Sequence, residues 1–390
     1  MTQSIRVAFI ILLVTLNLPA QNTETDATKN TTKVFLDQTR TETDSLLSLR
    51  HGEIEELKIK IAVIDEELKT NLRSKKEVQK LRERILALEQ IKAKEDNIKK
   101  KIFLENYNSA FVNLLSMEED IKPLKLFNSS KNFYSSLKDI SNPTHYEDYQ
   151  SWLSQYKSFL QKRKSKDVML EMADEIIERK EVLNSTTLQL GPLGNIILYS
   201  IEKFIVSIGS NKRELKEQSV KMFKLLSVLD SFEKDNMIIE SKYNELIKEL
   251  EALEKLYTET KFEFIESIGL DINEMDKLYF QNTDENVRIQ YLNNVKEQIS
   301  NGISHNQFGR DESIHLMNTV QSLKIRFGDL TAALKDNILQ YKALLEKYKD
   351  EDALDLSGLN ASFTTMLANF DENFPSEKYK MQAIKMFRTQ

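Results

Sequence analysis

The sequence predicts an all-α protein, an elongated helical bundle with long coiled-coil-like helices. Gly (9) and Pro (5) are scarce in 390 residues, so few turns with positive or fixed φ are available. Apolar residues recur at 3-4 spacing over long stretches, whereas the period-2 alternation of half-buried strands is nearly absent. Charged residues make up 30% of the chain and the mean hydropathy is −0.46, as expected of long helices with solvated outer faces.

The N-terminus reads as an export signal over residues 1–20. Arg6 supplies the positive charge, Val7 to Leu18 form a short apolar run, and Pro19-Ala20 offers a small residue before a polar stretch. That run falls short of the ~20 apolar residues of a membrane-spanning helix. Cleavage after Ala20 removes Arg6 and takes the formal net charge from −6 to −7. An exported chain with no cysteine fits a bacterial envelope, periplasmic or secreted, and a protein of this length stabilises itself by burial rather than by disulfides. The acidic balance gives no general attraction to nucleic acid.

Residues 21–45 read as a polar linker, with Gln21 to Lys33 as a disordered spacer rich in Thr and Asn. A long coiled-coil helix is expected over 46–120. Ile54, Leu57, Ile61, Ile64 and Leu68 carry 3-4 spacing, which Val78, Leu81, Ile85 and Leu88 resume ten residues after Leu68. That gap shifts the phase. Either the helix is locally overwound or the chain turns near Arg73 to Lys76; with no Gly or Pro there, one uninterrupted helix of about 100 Å is expected. Pro123 should end it.

The remainder, 121–390, reads as a helical bundle body. Asn142-Pro143 marks a break, and Thr144 with Glu147 at capping-box spacing opens a helix whose stripe of Tyr146, Tyr149, Trp152, Tyr156 and Phe159 suits core packing. The basic run Gln161 to Lys166 reads as a solvated face rather than a phosphate contact. Val182 to Ile201 contains no charged residue, and an apolar central helix is expected over 193–208. There Ile197, Ile201, Phe204, Ile205 and Ile208 share one face. With Leu193 they are the candidate interaction or membrane-contacting residues; Ile196, Leu198, Tyr199 and Val206 widen the face enough to suggest burial on several sides, as a core against which both long arms pack. Asn211 to Ile268 forms the second arm, stopped by Gly269. Shorter helices follow at Asp271 to Tyr279 and Thr283 to Ser300, then a loop from Asn301-Gly302 to Phe308-Gly309, a long helix from Asp311 to about Tyr348, a loop near Ser357-Gly358, and two helices in the tail.

No catalytic, cofactor-binding or metal site is expected. Cysteine chemistry is excluded by composition, and neither Gly-rich phosphate loops nor a GxSxG elbow occurs. Of four histidines, His315 lies at Glu-x-x-His spacing from Glu312, the pattern of helical carboxylate–metal bundles, but no second copy exists to complete such a site. The expected function is therefore non-enzymatic: a helical scaffold or accessory protein of the bacterial cell envelope, acting on a protein partner or a second copy through its apolar seams. Two other readings are carried. The plan is similar to that of α-helical pore-forming toxins, which makes a membrane-active component the first alternative; Glu202 and Lys203 inside the apolar stretch argue against clean insertion. A metal-binding or enzymatic bundle is the second.

Overall fold

The computed structural model describes residues 19–70, 75–129, 137, 140–143, 146, 149, 151–155, 158, 190–207, 213–304, 310–351, 354 and 356–387. Its helices are α1 (Pro19–Thr70), α2 (Lys75–Ser129), α3 (Leu190–Ser207), α4 (Arg213–Ser267), α5 (Ile272–Met275), α6 (Glu285–Ser304), α7 (Arg310–Lys347), α8 (Ser357–Asn373) and α9 (Ser376–Ile384), with a π-helical turn at Asp276–Phe280 after α5. No strand occurs among the described residues. The all-α bundle class is what the scarcity of Gly and Pro and the 3-4 periodicity dictate.

The chain divides into two compact units. One comprises the described residues of Leu124–Leu250 and Leu330–Pro375. Its core is aromatic and aliphatic: Leu226, Leu229, Phe232, Tyr341, Phe363 and Phe370 are buried. Phe127 meets Phe370 and Phe374 edge-on, at 5.2 and 6.1 Å between ring centres, and Phe232 meets Tyr348 at 5.3 Å. Two polar side chains inside are directed at backbone carbonyls: Asn337 Nδ2 donates to Ile239 O at 3.1 Å, and Tyr243 Oη to Asn128 O at 3.1 Å. Trp152 and Tyr149 are buried here, as the aromatic stripe predicts for core packing. Tyr146 sits in a bend with its N–H on Pro143 O and Tyr149 is helical, whereas Thr144 and Glu147, the expected cap, lie outside the described residues. Tyr156, Phe159, the basic run and the segment before Leu190 lie outside the described residues.

The other unit comprises Thr15–Pro123, Glu251–Asp329 and Ser376–Gln390. Its core gathers Tyr107, Phe111 and Leu114 of α2 with Phe264 of α4, and Leu323 and Phe327 of α7 are buried in the same unit. Tyr107 and Phe264 rings lie 4.6 Å apart, and Phe327 meets Tyr379 of α9 edge-on at 4.8 Å. Gly269 takes φ +70°, and the N–H groups of Gly269 and Leu270 return to the carbonyls of Glu266 and Ile265. This is a Schellman ending, as the glycine at that place predicts.

Several expected boundaries give way to packing. Residues 21–45, expected as a linker, lie in α1. Thr32, Phe35 and Thr39 occupy one helical face and are buried, and Thr32 Oγ1 meets Tyr279 Oη at 2.8 Å. Tertiary burial outweighs the weak helix propensity of Thr and Asn. α2 runs through Pro123 to Ser129, with Ile121 and Leu124 both buried around the proline. α6 likewise continues across Asn301-Gly302 to Ser304, and α8 begins at Ser357 where a loop was expected.

Candidate interaction surface

The expected single helix over 46–120 is instead a hairpin. Lys80 Nζ lies 2.5 Å from Glu67 of α1, Arg84 Nε 3.1 Å from Asp65, and Lys94 pairs with Glu53. Partners further along α2 meet partners further back along α1, so the two helices are antiparallel and the chain reverses between Thr70 and Lys75. The ten-residue phase slip between the two apolar seams is the trace of that reversal. Residues 71–74 contain no Gly or Pro, which is why composition does not reveal the reversal.

The two seams have different fates. On α1, Ile54 is buried and Leu57, Ile61 and Ile64 are half-buried, so this seam turns inward. On α2 the inward row holds Glu77, Lys80, Arg84, Ala87, Ile91, Lys94 and Ile98, the less exposed positions of that stretch. Three of these are the cations that meet α1 carboxylates. The predicted α2 seam is displaced outward: Val78, Leu81, Ile85 and Leu88 are 50, 46, 54 and 47% exposed. Ile59 and Val63 of α1 and Leu86 of α2 are also exposed, at 63, 54 and 56%. Among the residues between Arg40 and Leu104 whose side chains are described, Ile54 and Ala87 are the buried ones. Surface ion pairs contribute only about 0.2–1 kcal/mol each. The hairpin is therefore poor in core of its own and rich in uncovered apolar surface.

The same unit holds a groove of about 610 Å³ lined by both signs of charge: Lys33, Arg40, Lys378 and Lys385 with Asp37, Glu105 and Asp120. Its polar groups hold chain segments. Arg40 Nη2 donates to Lys385 O at 2.6 Å and Ser109 Oγ to Met386 O at 2.9 Å; outside the groove, Gln321 Nε2 donates to Ala383 O at 2.9 Å, and together they satisfy carbonyls at the end of α9. The buried Lys324 donates to Asn113 Oδ1 at 2.8 Å and Ser116 Oγ at 3.1 Å. Such a lining anchors the last helix.

The residues singled out on the apolar central stretch fall on α3. Ile201 and Phe204 are buried and Ile205 half-buried on one face. Val206 is 77% exposed, so the face is narrower than its composition suggests, with Glu202 and Lys203 also outward. Lys203 Nζ stands 5.0 Å over the Tyr199 ring, a cation–π contact at the helix surface. Leu193 and Ile197 lie on α3 with side chains outside the described set, and Ile208 lies outside it altogether. α3 groups with the first unit, whereas α1 and α2 up to Pro123 belong to the second.

Glu312 and His315 are both exposed, and among the described residues no three His, Asp or Glu side chains gather as metal ligands. Among the described residues no helix is long and apolar enough to cross a membrane. No family model, curated protein or solved structure matches the chain.

Proposed function

We propose that the chain is an exported, non-enzymatic helical scaffold or accessory protein of the bacterial cell envelope that works by protein–protein contact through the α1–α2 hairpin. One observation carries this reading. Of twenty large apolar side chains exposed among the described residues, nine lie between Leu46 and Leu88 of the hairpin. Exposed apolar surface concentrated on one element is what a docking face requires and what an isolated monomer avoids. The leader-like residues 1–20 and the absence of cysteine support export.

The reading is tested in the living host by placing a photo-activated cross-linking amino acid at Ile59, Val63 or Leu86, with the exposed Glu249 of α4 as control. Adducts specific to the hairpin positions, in the envelope or secreted fraction, are expected. Equal labelling at Glu249, or a chain retained in the cytoplasm, would sink the proposal.

A further inference from the structure

We infer that the outward seam of α2 binds the same seam of a second copy of this chain, in parallel, as a short two-stranded coiled coil. The inference rests on the hairpin being the interaction surface and specifies what covers one of its faces. Val78, Leu81, Ile85 and Leu88 follow the 3-4-3 spacing of alternating core positions, and each is about half exposed. Taking Val78 and Ile85 as the first core position of each heptad puts Leu81 and Leu88 at the second. β-Branched residues at the first and leucine at the second are the combination that favours two parallel strands.

The flanking charges complement themselves in the same register. The position before each first core residue holds Glu77 and then Arg84; the position after each second core residue holds Arg82 and then Glu89. In a parallel pair the flank of one strand meets the position five residues further along the other. Glu77 then meets the second copy's Arg82, and Arg84 meets its Glu89, with opposite signs at both places. An antiparallel pairing sets Glu77 against Arg84 and Arg82 against Glu89, also with opposite signs. In either direction Arg84 is shared with Asp65 of its own chain, 3.1 Å away, so the parallel choice rests on the β-branched and leucine core positions. Arg82 and Glu89 are exposed. Beyond Leu88 the next core positions are Lys92 and Glu95, which end the seam. It is therefore roughly 15 Å long. That length is small for a stable interface, so the dimer dissociates in roughly the micromolar range.

The test is sedimentation velocity of the full chain from roughly 1 to 200 µM, joined to cysteine trapping, which is clean because the chain has no cysteine. A concentration-dependent dimer is expected. Leu81→Glu with Leu88→Glu should weaken it on the order of 100-fold with the helical circular dichroism unchanged. Ile85→Cys should link to itself under mild oxidation, as only a parallel register allows, while Ile59→Cys should not. Glu77→Arg alone and Arg82→Glu alone should each be monomeric, and their mixture should dimerise. A chain monomeric at every concentration, or an Ile85→Cys variant that stays reduced at dimer-forming concentration, overturns the inference. Should a cross-linker at Ile85 capture a different protein while the purified chain is monomeric, the second copy is refuted and the hairpin's role in contact survives. Failure of the Ile59, Val63 and Leu86 probes as well would end both.

Discussion

Glu118 illustrates how a single ionisable residue ties elements together. Lys261 Nζ and Lys122 Nζ each approach its carboxylate to 2.7 Å, and Tyr257 Oη donates to it at 3.0 Å. Lys261 also stands 5.3 Å over the Phe280 ring. Burial, the largest single influence, pushes the Glu118 carboxyl up, but the hydrogen bonds and charges of the two lysines together outweigh it and hold the group below its ordinary 4.5. The same surroundings push the Tyr257 hydroxyl well up, by burial first and by the Glu118 charge second. A carboxyl depressed on folding contributes stability that is complete above its unfolded value and lost as the pH falls through the folded one. Glu118→Gln should therefore flatten the loss of stability between about pH 5 and about pH 3 seen in the parent chain, measured by urea unfolding at each pH. Identical acid slopes would show that Glu118 carries none of it. Lys261→Met should cost roughly 2 kcal/mol at neutral pH, less than a fully buried pair, because Lys122 still serves the carboxylate.

At the scale of elements, two glycines do different work. Gly269 ends α4 with φ +70° and open space around its Cα, so a side chain there suffers backbone strain alone. Gly269→Ala should cost about 1 kcal/mol, read as a shift in the denaturant midpoint at constant slope. Gly328 lies inside α7 against α9: a Cβ would stand 3.1 Å from Lys380 Cγ, 3.2 Å from Ser376 O and 3.3 Å from Tyr379 Cβ. Here the requirement is close approach. Gly328→Ala sets a helix-propensity gain of about 1 kcal/mol against crowding and should be nearly neutral. Gly328→Val should displace α9, seen as faster amide exchange over residues 376–386; unchanged protection there would refute the close-approach account. The hairpin belongs to this scale too. Its apolar rows are legible in the sequence, but which row turns inward is decided by where α1 places Glu53, Asp65 and Glu67, opposite the cations of α2.

For the whole molecule, the long apolar periodicities and the shortage of Gly and Pro already dictated an all-α bundle, because few other folds tolerate so few turn-formers. The same reasoning placed α4, its glycine stop, and α7 close to their observed limits. The candidate site was legible only in part. Val78, Leu81, Ile85 and Leu88 stand out as a seam, yet spacing alone cannot say whether a seam meets its own chain or is left uncovered. The central apolar stretch drew attention by its lack of charge. It is one helix with a buried face, and Val206 on its other side is exposed.

Taken alone, the sequence determined the class of structure, the material of the seams and the lack of any familiar catalytic pattern, since these follow from local periodicity and residue chemistry. Only the tertiary structure decided that α1 and α2 fold back on each other, that Pro123 lies within a helix, and that the α2 seam is outward. Each depends on pairings far apart in the chain. Burial and ion pairing there outweigh preferences of about 1 kcal/mol per residue, which is all that a local reading can weigh.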